Sequence, residues 1–111
     1  MKSLILAGVM SVVSIPSIAC EDALVEAIAF QVTMGDTLDE CYNGDNSRCL
    51  IFMNLVNALD YRNNLEKIVE CSKSGYKFQR TKLLEIFLRD VQVFGEKVSV
   101  VNARLSSLGM E

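Results

Sequence analysis

The chain has 111 residues, half of them hydrophobic, with 11 basic and 14 acidic side chains and no histidine. That length allows one small domain. A mildly acidic balance with no basic cluster gives no electrostatic footprint for nucleic acid or anionic lipid, and the lack of histidine removes the commonest general base, the Ser-His and Cys-His nucleophile pairs and the usual zinc ligand.

The N-terminus reads as a secretory signal. Lys2 supplies the positive start, and residues 4–15 form an apolar run too short to continue as a membrane anchor. Pro16 breaks it, and Ser17-Ile18-Ala19 places small residues where a signal peptidase reads them. Cleavage is expected after Ala19, making residues 1–19 a signal peptide and 20–111 a single helical domain. Ten basic against fourteen acidic side chains then remain, a net charge of −4. An uncleaved membrane helix is the alternative. Lipidation at Cys20 is a further one, but Ser17 stands where lipoprotein signals carry an aliphatic residue, and without lipid no membrane association is expected.

Residues 21–34 carry Leu24, Val25, Ile28 and Val32 at the 3.6-residue period of a surface helix, with Glu21 and Asp22 at the positive end of its dipole. Gly35 is expected to end or kink it, and Asp36 to cap a short further helix over 37–42. Asn43-Gly44-Asp45-Asn46 is turn chemistry, because glycine takes positive φ and Asn or Asp bond their own backbone. Asn46 or Ser47 is expected to cap a helix running to about Asp60. Ile51, Phe52, Leu55, Val56 and Leu59 make it apolar on most faces, so it reads as the central, most buried helix. Asn54 and Asn57 need partners if buried there. A weak point follows at Asn63-Asn64, and Leu65, Ile68 and Val69 carry a second helical piece to Cys71.

Residues 72–77 (SKSGYK) are the clearest internal loop. Leu83, Leu84, Phe87, Leu88 and Val91 mark a further amphipathic helix. Phe94, Val98, Val101, Leu105 and Leu108 step by four and three along a last one, with Gly95 as the expected break between the two. That stripe is core packing or the seam of a homodimer. The class expected is all-α: a small disulfide-bonded bundle of about four to five helices.

Four cysteines in a short exported chain point to two disulfides and an oxidising compartment such as the periplasm. Folding back at the 43–47 turn places Cys20 21 residues before Cys41 and Cys71 22 residues after Cys49. Nearly equal arms bring the outer pair together as the turn brings the inner pair together. Nested bridges are therefore expected, Cys41–Cys49 and Cys20–Cys71. A zinc site lacks both CxxC spacing and histidine.

Enzymatic chemistry finds little purchase. Asp39 and Glu40 are adjacent, so on a helix they diverge by about 100°. Glu66, Glu70, Asp60 and Glu85 have the spacings of a solvated face, and Gly44, Gly75 and Gly95 stand too far apart for a phosphate loop. No catalytic residue, metal or cofactor is assigned. Binding remains, for which a disulfide-tied domain presents an ordered surface at small entropic cost. Tyr42 and Tyr76, each beside a glycine-containing loop, are the aromatics expected to anchor a contact; the plainer reading has each resting on a hairpin end with its hydroxyl in water.

The order LDEC, turn, CLIFMNLVNAL, ECSKSGY, KLLEIFLRD and VSVVNARLSSL resembles the Rap/Tai immunity proteins of type VI secretion, over roughly residues 35–108. These protect the periplasm from peptidoglycan amidase toxins. The chain departs at Ile51 and Phe52, where the family often has glycine and tyrosine, and at Ser72, where it often has proline. It also lacks a closing cysteine and has Cys20 in addition. The resemblance implies an all-helical, dimeric inhibitor that pushes a loop into a toxin's active-site cleft. Ser74, Gly75, Tyr76 and Lys77 are the leading candidates for that loop, and residues 43–48 the second. The rival expectations are an accessory or structural protein of a secretion, conjugation or phage-lysis system, and a periplasmic acid-stress chaperone.

Overall fold

The computed structural model describes residues 17–109, and among them there are four helices and no strand. Helix α1 spans Ser17–Tyr42, α2 Asn46–Val56, α3 Leu59–Lys73 and α4 Thr81–Ser107. The chain is a small all-α bundle, as the helical periodicity predicts. The expected signal segment falls outside the described residues up to position 16, and Ser17, Ile18 and Ala19 open α1.

Helix α1 is the one the others pack on. Cys20, Leu24, Ala27, Gln31, Met34, Leu38 and Cys41 recur at three and four residues, and all are buried. This row differs from the expected face, because Val25 and Val32 point to solvent. It also passes through Gly35 without a break. Glycine inside a helix costs only about 1 kcal/mol relative to alanine, and burial of Met34 and Leu38 on either side outweighs that. A Cβ at Gly35 would meet the Phe94 ring at 3.8 Å, an ordinary contact, so α4 packs closely there without demanding glycine.

The helix ends where Gly44 takes φ +107°. The Asp45 amide then donates to Glu40 O at 3.0 Å and the Gly44 amide to Cys41 O at 3.1 Å, the paired bonds of a Schellman closure. Asp45, rather than Asn46 or Ser47, caps α2, accepting from the Ser47 amide at 3.1 Å and the Ser47 hydroxyl at 2.6 Å.

Helix α2 is shorter and less buried than expected. Only Cys49 and Phe52 are buried in it. It stops at Val56 rather than Asp60: Asn57 still gives its amide and side chain to Met53 O, at 3.1 and 2.9 Å, but the next amide, of Ala58, falls back to Leu55 O at 3.1 Å. Extended Ala58 (ψ 134°) turns the chain into α3. Asn63 and Asn64 therefore lie inside α3, and Asn64 donates to Glu26 at 3.4 Å. Helices α2 and α3 together run back along α1. Phe30 meets Tyr61 with ring centroids 5.6 Å apart, and the run finishes at Cys71.

Helix α4 is continuous through Gly95, where two helices were expected. Buried Phe87, Phe94, Val101 and Leu105 hold one face across the glycine. The 94–108 stripe thus closes the core, with Leu108 at its end half exposed. Helix α4 runs parallel to α1: Gln79 lies beside Glu21, Phe87 beside Gln31 and Arg104 beside Asn46.

The nested disulfides are present. Cys20–Cys71 spans a Cα–Cα distance of 6.1 Å and Cys41–Cys49 one of 4.8 Å, so each end of α1 is fastened to the returning arm. Cys20's sulfur is thereby engaged. Two disulfides fit an oxidising, exported compartment. Among the described residues no helix is long and apolar enough to cross a membrane.

Candidate functional site

The loop beyond Cys71 begins at Ser74, since α3 runs to Lys73. It closes as the first hairpin does. Gly75 takes φ +86°, the Tyr76 amide donates to Cys71 O at 3.0 Å and the Gly75 amide to Ser72 O at 3.1 Å. The Ser74 hydroxyl also reaches Cys71 O at 3.0 Å. A left-handed residue at the helix end is why glycine stands at this position.

Tyr76 is folded back onto the body of the protein. Its hydroxyl donates to the Glu21 carboxylate in the first turns of α1, and the same oxygen accepts from the Gln79 amide at 3.0 Å. Its ring sits edge-on to Phe78, with centroids 5.0 Å apart, and Phe78 is buried. The Tyr76 phenol and Gln79 amide hold the Glu21 carboxyl below the usual carboxylate range, and that carboxylate holds the phenol above its ordinary value. Of the four candidate loop residues, Ser74, Gly75 and Lys77 face solvent, while Tyr76 anchors the loop from beneath.

Tyr42 stands at the other end of α1, 46% exposed, with Lys97 Nζ 5.5 Å from its ring centroid. Twenty-one residues of helix separate it from Glu21, roughly 32 Å. Tyr42 and the 74–77 loop are therefore not parts of one small contact. The secondary candidate, residues 43–48, follows Tyr42 directly and carries the Arg48–Glu40 ion pair at 3.1 Å.

A third surface, absent from the sequence reading, lies between. Helix α1 packs on all three others and α2 touches both α3 and α4, but α3 and α4 make no close approach. The gap is a groove of about 260 Å³, floored by Met34, Tyr61 and Phe94, walled by Leu65, Val91 and Gly95, with Arg62 at its mouth. Beneath it Gln31 donates to the Tyr61 hydroxyl at 3.2 Å and to Phe87 O at 3.3 Å. Burial pushes the Tyr61 phenol up, with Asp90 adding to the rise and Gln31 opposing it.

No family model, curated protein or solved structure matches the chain. The chemistry of its surfaces therefore carries the functional reading. Among the described residues no group of three or more potential ligands is placed to hold a metal ion.

Proposed function

We propose that the protein is an exported periplasmic binding protein that neutralises a peptidoglycan amidase-type toxin by occluding its active site. The observation that carries this reading is the 74–77 loop. A bridge at Cys71, a left-handed Gly75 and the Tyr76–Glu21 bond hold its backbone before any partner arrives. A loop fixed in advance enters a cleft without a large ordering cost, and Ser74 and Lys77 stand outward on it. The resemblance of residues 35–108 to the Rap/Tai proteins supports the same reading and names the target class.

Co-expression with an exported cell-wall amidase encoded beside this gene is the test. Wild-type protein rescues growth and forms a stoichiometric complex, and Ser74→Trp or Lys77→Glu abolishes both while leaving the melting temperature unchanged. Absence of both rescue and complex with the wild type defeats the proposal.

A further inference from the structure

The expected cleavage falls in the first turn of α1, and that turn is also where the 74–77 loop is fastened. We propose that removal of residues 1–19 gives the new Cys20 α-ammonium to the Glu21 carboxylate, so that processing completes the corner on which the loop rests. This rests on the reading of the chain as exported and cleaved after Ala19.

Four residues close a circuit in that corner. The Cys20–Cys71 bridge joins the start of α1 to α3, and the Tyr76 amide donates to Cys71 O at 3.0 Å. The Tyr76 hydroxyl then returns to Glu21, the sequence neighbour of Cys20. One carboxylate oxygen, Oε2, takes both that hydroxyl and the Gln79 amide, the latter at 3.0 Å. The other, Oε1, is buried and has no hydrogen-bond partner among the described residues. A carboxylate oxygen shut off from water without a donor carries a desolvation cost.

Cleavage supplies a donor at this place. While residues 17–19 belong to α1, the four-residue helical pattern commits the Glu21, Asp22 and Ala23 amides to their carbonyls. Once those residues are gone, Cys20 begins the helix. Its nitrogen becomes an ammonium with three N–H groups, and its Cα stands about 3.8 Å from that of Glu21.

Charge and burial select Glu21 as the acceptor. An ammonium at a helix N-terminus meets the positive end of the dipole, so a carboxylate is needed to hold it. Glu21, Asp22 and Glu26 stand near the new start of α1. Asp22 and Glu26 are exposed, where water serves their oxygens, and Lys67 of α3 shares a shallow pocket with them beside Ala19. Glu21 is half-buried, and Arg80 acts on it from the residue before α4 without forming an ion pair. Its buried oxygen therefore gains most from a charged donor. With both oxygens held, Tyr76 and Gln79 keep a fixed acceptor, and the loop backbone reaches its full order only in the processed chain.

The test uses protein purified from the exported fraction, its first residue read by mass spectrometry. By NMR titration the Cys20 α-amine should titrate about one unit higher in the wild type than in Glu21→Gln, and Asp22→Asn should keep it high. A variant with Gly-Ser inserted between Ala19 and Cys20 moves the ammonium two residues away. Its Gln79 amide should exchange with solvent about tenfold faster than that of the wild type, the same factor seen from the other partner. An amine that titrates alike in the wild type and Glu21→Gln overturns the proposal, as does Gln79 exchange that the insertion leaves unchanged. So does an equal drop in Asp22→Asn, which assigns the ammonium to the exposed side of the turn. A first residue other than Cys20 defeats the processing premise, whereas the rescue and complex assay reads the occlusion proposal independently.

Discussion

Tyr76 donates its phenolic proton to the carboxylate of Glu21, 55 residues earlier, and so joins the loop after Cys71 to the start of α1. The Cys20–Cys71 bridge lies next to both residues. One covalent and one polar link thus fasten the same corner, and they respond to different conditions.

The polar link depends on pH. Glu21 has its folded pKa held below the ordinary 4.5 by the Tyr76 and Gln79 donors. Its contribution to stability is fully present above about pH 4.5 and is lost as pH falls through the lower folded value. Tyr76 is shifted upward, so its contribution is present below its ordinary 10.0 and is lost as pH rises through the folded value. Glu21→Gln should flatten the acid side of the melting-temperature profile, and Tyr76→Phe the alkaline side. A profile with the same acid slope in Glu21→Gln would show that this bond does not form in solution.

The covalent links should differ in weight. On the chain-entropy account, the Cys20–Cys71 loop is worth about 4 kcal/mol and the Cys41–Cys49 loop about 2.6 kcal/mol. Paired serine substitutions followed by urea denaturation should reproduce that order. Mass mapping of an unreduced digest should recover Cys20 with Cys71; recovery of Cys20 with Cys41 would contradict the nested arrangement.

Two glycines should respond oppositely to alanine. Gly95 has helical surroundings and open space, so Gly95→Ala should stabilise the protein by roughly 0.5–1 kcal/mol. Gly44 sits at φ +107°, where an L side chain is strained, and Gly44→Ala should cost about 1 kcal/mol. Thermal melts read at one protein concentration decide both.

The heaviest single cost is expected in the core. Phe52 is fully buried and meets Phe94 edge-on with ring centroids 5.9 Å apart. Phe52→Ala should cost about 3–5 kcal/mol, cavity included. Phe52→Leu should cost much less. A loss below about 1 kcal/mol for the alanine variant would mean that α4 does not pack there.

The double clamp was legible in the sequence because helical arms of equal residue count have equal length, so Cys20 and Cys71 meet once the 43–47 turn is recognised. The helix limits were less legible. Gly35 and Gly95 carry strong local signals for a break, but each sits between residues whose burial outweighs the local cost. Helix α2 ends where Ala58 turns extended just after Asn57, and Asn63-Asn64 carry the stronger local signal without ending α3. The paired glycine closures at Gly44 and Gly75 were visible as turn residues. The groove between α3 and α4 had no local signal, since it consists of two helices that do not touch, and no stretch of chain records a missing contact. Likewise nothing near SKSGYK announces that Tyr76 turns inward to Glu21.

Both bridges fasten α1, the helix on which everything else rests. Together they supply more than about 6 kcal/mol on the entropic account, comparable to the entire net stability of many domains. With all four sulfurs reduced, only the packing of Phe52, Tyr61 and Ile68 on α1 holds the returning arm. The corner that carries the 74–77 loop then hangs on a single polar contact, so the finish of that loop depends on the redox state of its surroundings.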